Sequence, residues 1–281
     1  MRLILRLTVA AIAVWSLPGC LLRPTTKQRE DSLPRETKIS GEAPQGFIEK
    51  RTAFVITGIE GAKVTPYLDN PLNVHVDMKV TKNGKGGVGT ATAIDQRGYF
   101  LTAAHAVDPD RMFVAISDGS RIRFEKARVV WKGSAGNKNS FDIAIIYAPV
   151  TPVAVFEWAA EATPDEEVFA AGPKDLKALR FELTLIHGKI IDSAAMTSPQ
   201  EWIRVQTTAP VRDGDSGGPL MDAGGKLIGI TFLGSTNWHL FESPRLLTSE
   251  NSAYAVRPSS SWIRTIIEDD VVKHPAVVTQ R

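Results

Sequence analysis

A single cysteine, Cys20, in 281 residues excludes any disulfide within the chain. Packing and hydrogen bonds alone must hold the fold. An excess of either charge is also missing. Setting Arg2 and Arg6 of the N-terminal leader aside leaves 31 basic residues against 31 acidic ones. Nucleic acid is therefore not an expected partner, since it asks for a basic face. His75, His187, His239 and His274 lack metal-ligand spacing such as His-x-x-x-His and read as structural or surface residues. Lys82 to Gly89 is rich in Gly and Lys but lacks the phosphate-loop pattern, so it reads as a flexible loop. No cofactor is implied. The apolar run Leu7 to Leu17 is too short to cross a bilayer as a mature helix.

What the chain does have is Gly214-Asp215-Ser216-Gly217-Gly218-Pro219, preceded by Leu101-Thr102-Ala103-Ala104-His105 and Phe141-Asp142-Ile143-Ala144. Ser216 supplies a hydroxyl, a poor nucleophile unless a base removes its proton during attack. His105 is the candidate base, because an imidazole titrates near neutrality. Asp142, at the head of an apolar run, is costly to bury alone and needs a partner. It is the candidate that fixes the tautomer of His105. Each residue alone suits a turn, a strand end or a cap; together, in this order, they form a nucleophile, base and orienting acid. The spacings are 37 residues and then 74.

The order His, Asp, Ser separates this set from other folds with the same triad. The three segments resemble the trypsin/chymotrypsin-like serine protease family, with motifs Thr-Ala-Ala-His, Asp-Ile-Ala-Leu and Gly-Asp-Ser-Gly-Gly-Pro. The resemblance implies an all-β fold of two antiparallel β-barrels with the active site between them and a C-terminal helix packed on the second barrel. It also implies that the backbone amides of Gly214 and Ser216 form the oxyanion hole. The absence of disulfides looks like the bacterial envelope branch of the family. The substrate is then a protein or peptide, cut through an acyl-enzyme on Ser216.

The N-terminus reads as an export signal over residues 1–19, basic at Arg2 and Arg6 and then apolar. Leu17-Pro18-Gly19-Cys20 resembles a bacterial lipobox, in which the cysteine is lipidated and becomes the new N-terminus. Cys20 is thus the expected lipidation site. Leu21 after it gives no retention signal, so the expected place is the outer membrane, facing the periplasm. Residues 20–46 are polar, with Pro24, Pro34 and Pro44, and read as a tether.

The first barrel is expected over 47–150, carrying His105 and Asp142. Val88 to Ile94 and Tyr99 to Thr102 read as strands around the turn Asp95-Gln96-Arg97-Gly98. Met112 to Ile116 and Arg121 to Phe124 bracket a hairpin turn, and Ala127 to Trp131 is a further strand. The second barrel is expected over 151–281. Glu167 to Pro173 opens it, in a pattern that resembles envelope proteases of the family. Leu183 to Ile191, Trp202 to Thr207 and Lys226 to Thr231 follow as strands. A helix closes the chain, capped among Ser259, Ser260 and Ser261, with Trp262, Ile263, Ile266 and Ile267 on one face.

The resemblance carries further expectations. Phe232, Leu233 and Gly234 match the edge strand that binds substrate by backbone pairing. Pro210, between Ala209 and Val211, matches the base of the primary specificity pocket, and Ser252-Ala253-Tyr254 its far wall. No acid stands at that base, which argues for a small or medium apolar substrate residue. Asp213 adds negative charge near the mouth. Ile56-Thr57-Gly58-Ile59 looks like the new N-terminus of activated relatives, with Asp215 as its partner. Against it, Gly58 lacks a second Gly and no basic residue precedes Ile56, so an ordinary strand is the better reading.

Two rivals share the motifs. One is a protease-fold binding or scaffold lipoprotein with latent or no turnover; the intact triad speaks against it. The other is an esterase of the α/β-hydrolase kind, since Gly-x-Ser-x-Gly spans 214–218; there the histidine follows the serine, whereas His105 precedes it.

Overall fold

The computed structural model describes residues 38–67, 70–80, 86–133, 141–174, 182–196, 202–234 and 253–275, without the side chains of 62–80 and 233–234. The leader, Cys20, Leu21, Trp238, His239 and Ser252 lie outside the described residues. Two antiparallel β units make up the fold. The first contains β1 (Thr52–Thr57), β4 (Gly87–Asp95), β5 (Tyr99–Thr102), β6 (Met112–Ser117), β7 (Ile122–Lys126), β8 (Arg128–Lys132) and β9 (Ala144–Tyr147). They form one sheet in the order β7-β6-β1-β4-β5-β9-β8. Its edge strands β7 and β8 are consecutive in the chain and meet at Ala127, whose amide bonds to Met112. The sheet is thus a half-barrel, open in its hydrogen bonding along that seam. The second unit is a closed barrel, β10-β11-β12-β15-β14-β13. Its strands are β10 (Glu167–Pro173), β11 (Leu183–Ala195), β12 (Ile203–Thr207), β13 (Pro219–Asp222), β14 (Leu227–Gly234) and β15 (Ala253–Arg257).

Several strands of the first unit are apolar at every position because both their faces are covered. Ala53, Val55, Phe100, Ala144 and Ile146 fill the inside of the half-barrel. Their neighbours Phe54, Ile56, Leu101, Ile143 and Ile145 belong to a second cluster. That cluster continues into the second unit through Phe169, Leu185, Trp202, Met221 and Leu227. Period-two alternation puts successive side chains on opposite faces, and here each face meets a core. Burial between the units therefore supplies much of the cohesion that disulfides give other folds.

Three features depart from sequence expectations or extend them. First, β2 (Ile59–Tyr67) and β3 (Asn70–Val80) form a separate two-stranded hairpin, which the sequence reading did not anticipate. Second, residues 38–49 pack on the fold. Ile39 is fully buried, α1 (Pro44–Glu49) buries Phe47 and Ile48, and Ser40 donates to the Gly224 carbonyl. Third, the C-terminal helix α2 (Ser260–Lys273), capped by Ser259, does not rest on the second barrel alone. Trp262 contacts both Trp131 of β8 and Trp202. Asp270 accepts two bonds from Arg128 (2.7 and 2.5 Å) and one from the Tyr99 hydroxyl (2.9 Å). Ion pairs and aromatic contacts thus tie α2 to the first unit as well.

Candidate active site

His105 is delivered by β5. The strand ends at Thr102, Ala103 and Ala104 are fully buried, and a single 3₁₀ turn, Ala104–Ala106, turns the imidazole outward. Asp142 sits just before β9, the strand paired with β5, so the sheet register brings acid and base together. One carboxylate oxygen of Asp142 accepts from the His105 backbone N–H at 2.9 Å. The other lies 2.6 Å from Nδ1. A carboxylate only accepts, so Nδ1 carries the proton and Nε2 is left as the acceptor, as a general base requires. Asp142 is 8% exposed, while the His105 side chain is 44% exposed. The bond to Asp142 raises the His105 pKa above 6.5 against the opposing effect of burial; the negative charges of Asp142 and Asp213 add to the rise and Lys132 opposes it.

Ser216 comes from the other unit, on the loop before β13. Its carbonyl accepts from the Thr90 amide at 2.8 Å. A Cβ added at Gly89 would meet Ala106 at 3.1 Å and the Ser216 carbonyl at 3.3 Å. The turn that holds His105 and the loop that holds Ser216 therefore flank the same glycine. Asp213, whose charge reaches His105, is on that same loop. All three expected triad residues are thus brought to one place between the two units.

The loop also has the shape an oxyanion hole needs. The Asp215 amide bonds to the Arg212 carbonyl at 3.0 Å, and Gly214, third in that four-residue turn, has φ +91°. This is the pattern of a type II turn, which favours glycine at that position. Neither the Gly214 nor the Ser216 amide bonds to a backbone carbonyl among the described residues. Both donors stay available for charge on a substrate oxygen.

The remaining expected residues are placed less uniformly. β14 pairs with β13 only as far as Ile230. Beyond it, Leu233 and Gly234 pair with Tyr254 and Ala253 of β15, with a bulge at Phe232. The segment 232–234 thus has one edge unpaired among the described residues, as substrate pairing would need. Pro210 is exposed, not enclosed; only Ala209 beside it is fully buried. Ile56 is central in β1, paired with Val88 on one side and Phe113 on the other. Asp215 accepts from the Arg212 amide at 2.6 Å. His187 lies beside Phe169, and His274 bonds to Asp270. Among the described residues no group of three His, Cys, Asp or Glu is placed to hold a metal ion.

Sequence reasoning passed over a second set of residues at the site. Thr90, Thr92, Thr102 and Thr231 are all buried, and their hydroxyls bond to carbonyls of Gly214, Gly217, Thr90 and Asp215 respectively. The alternation Thr90-Ala91-Thr92-Ala93 was the available signal: hydroxyls on a strand otherwise dedicated to burial need acceptors. Gly172 was also missed; a Cβ there would lie 1.9 Å from the Asp215 carboxylate.

A serine on a glycine-rich turn of one β unit, beside the turn that carries an Asp–His pair on the other, is the arrangement expected of a two-barrel serine hydrolase. Comparison with known families is specific. Residues 89–230, half of the chain, match the trypsin-like peptidase domain family, and the chain belongs to that family. Comparison with curated proteins finds no match. Among solved structures, the active form of the Rv3671c protease from M. tuberculosis is 18% identical with a TM-score of 0.51, covering 80% of this chain and 83% of that one. The HtrA-type protease AlgW, solved with a decapeptide, is 19% identical with a TM-score of 0.50, covering 80% of this chain. This chain spans 65% of that protein. At such identities the likeness shows the fold.

Proposed function

We propose that the chain is a serine endopeptidase in which Ser216 attacks the peptide carbonyl, His105 takes and returns the proton, and Asp142 orients His105. The observation that carries this is the Asp142–His105 pair, with both carboxylate oxygens engaged, beside a serine loop whose Gly214 and Ser216 amides bond to no backbone carbonyl among the described residues. Attack forms the Ser216 Oγ–carbon bond and moves the Oγ proton to His105 Nε2. Collapse of the tetrahedral adduct breaks the C–N bond as that proton passes to the amine. Water then repeats the sequence on the acyl-enzyme, with His105 again the base. Phe232, Leu233 and Gly234 pair with the extended peptide. We further propose lipidation at Cys20 and an outer-membrane location facing the periplasm, supported by Leu17-Pro18-Gly19-Cys20 behind a basic and apolar leader.

The test is labelling of the mature protein with a fluorophosphonate beside Ser216→Ala and His105→Ala. Labelling of the wild type alone is expected, and peptide-library cleavage should depend on both residues. A folded wild type that neither labels nor cleaves overturns the reading. Detergent-phase partition of the wild type, lost in Cys20→Ser, tests the anchor.

A further inference from the structure

Thr90 makes three hydrogen bonds, two to the loop that carries Ser216 and one to the strand that delivers His105. Its amide donates to the Ser216 carbonyl at 2.8 Å, and its hydroxyl donates to the Gly214 carbonyl at 2.7 Å. Its own carbonyl accepts from the Thr102 hydroxyl at 2.7 Å, and Thr102 ends the strand that delivers His105. Thr90 is fully buried, as is Thr102, so these bonds face no competition from water.

We propose that Thr90 is a positioning residue for the oxyanion hole, acting through its hydroxyl on the Gly214 carbonyl. This rests on the peptidase reading above. The peptide unit between Gly214 and Asp215 is tied at both ends: its N–H bonds to Arg212 O, and its C=O takes the Thr90 hydroxyl. With that unit fixed and Gly214 at φ +91°, the preceding peptide is held in the type II arrangement. That preceding peptide carries the Gly214 N–H, the oxyanion donor. In a four-residue turn the central peptide has no bond within the turn, so it is the unit free to rotate. Without the Thr90 hydroxyl, the buried Gly214 carbonyl is left without its donor, and the 214–215 peptide gains by any rotation that finds another. That rotation weakens the bond from the Asp215 amide to Arg212 that closes the turn, and the central peptide is then free to carry the Gly214 N–H away from the substrate oxygen. Because Thr90 belongs to the first unit and Gly214 to the second, the hole forms only when the two units are docked in register.

The experiment compares wild type, Thr90→Val, which keeps the shape without the hydroxyl, and Thr90→Ser, which keeps the hydroxyl. Full-length proteins are assayed for hydrolysis of a p-nitrophenyl ester and for the rate of fluorophosphonate labelling, with circular dichroism and a thermal midpoint for each. Loss of a whole oxyanion donor lowers kcat about 10²–10³-fold. Loosening one is expected to lower kcat about 10- to 100-fold in Thr90→Val, with KM within about twofold, because the contact acts on the transition state. Labelling should slow in parallel, and Thr90→Ser should restore both. A Thr90→Val that turns over like the wild type overturns this role while leaving the peptidase reading intact. So does a Thr90→Ser as impaired as Thr90→Val, which would assign the effect to packing. A folded wild type that neither labels nor hydrolyses overturns the peptidase reading, and this role with it.

Discussion

Replacing Asp270 with Ala is the sharpest test of how α2 holds the two units together. Asp270 is 5% exposed and accepts three hydrogen bonds from the first unit, two from Arg128 and one from Tyr99. Breaking a fully buried ion pair costs about 3–5 kcal/mol. The Arg128 side chain is 34% exposed, however, so water re-solvates much of its charge once the partner is gone. The Tyr99 hydroxyl is worse off, because the residue is 2% exposed and an unmet buried donor costs about 1–3 kcal/mol. We expect a loss of about 2–3 kcal/mol at pH 7, which at this chain size lowers the thermal midpoint by about 4–12 °C. Asp270→Asn keeps an acceptor for Tyr99 and should lose less. The pH dependence carries the sign. Burial pushes the Asp270 carboxyl up, but the bonds from Arg128 and Tyr99 and the charges of Arg128 and His274 bring it below 3.8. A carboxyl with a depressed folded pKa stabilises above its unfolded value, about 3.9, and loses that as pH falls through the folded value. Urea unfolding from pH 3 to 8 should therefore show a gap between wild type and Asp270→Ala that is full at neutrality and shrinks below about pH 4. Coincident unfolding curves at pH 7 would refute the reasoning and leave α2 held by the packing of Trp262, Ile263 and Ile267.

Two other outcomes follow from the site. The raised His105 pKa places the acid limb of the kcat/KM profile above pH 6.5, since the base must be neutral to act. Asp213→Asn removes one of the charges that raise it and should move that limb to lower pH; an unmoved limb would place Asp213 too far from His105 to matter. Gly217→Ala should be the most damaging single methyl at the site. The added carbon would lie 1.9 Å from the Thr90 carbonyl and 2.3 Å from the Thr102 hydroxyl, at φ +90°. We expect at least about 3 kcal/mol of lost stability and no fluorophosphonate labelling; a stable, labelling variant would mean that the strand and loop are less closely apposed.

The pairing of His105 with Asp142 and the glycine turn before Ser216 were legible in the sequence because burial and turn geometry constrain the residues around them. Burying Asp142 demands a partner, a serine nucleophile demands a base, and the oxyanion loop demands glycine at Gly214. The capped helix at Ser259 and the strands around His105 were legible for the same local reason. What could not be read depends on which surfaces meet. Tyr99, Arg128 and Asp270 are far apart in the chain, and nothing local tells which unit α2 will face. Ile39 looks like part of a polar tether until Gly225, where a Cβ would lie 2.6 Å from Ile39, shows what it covers. The threonines at 90 and 92 read as ordinary strand residues because their acceptors lie more than 120 positions away.

A chain without disulfides must still hold the Ser216 loop and the His105 turn, which lie on different units, in one relative placement. The apolar cluster between the units supplies cohesion but little direction, because hydrophobic burial tolerates sliding. Direction has to come from contacts that fail when displaced by a fraction of a hydrogen-bond length. At the centre these are the bonds of Thr90 and Thr92 to Gly214, Ser216 and Gly217, and the close approach of Gly217 to β4. At the periphery they are Asp270 with Arg128 and Tyr99, and the edge-on rings of Trp131, Trp202 and Trp262. Each such bond contributes only about 1 kcal/mol net. Under the proposed peptidase reading, their effect on catalysis is larger than that figure, because the transition state is stabilised only in the register they select. Perturbing the periphery should therefore move stability more than kcat, and perturbing the centre should move kcat more than stability.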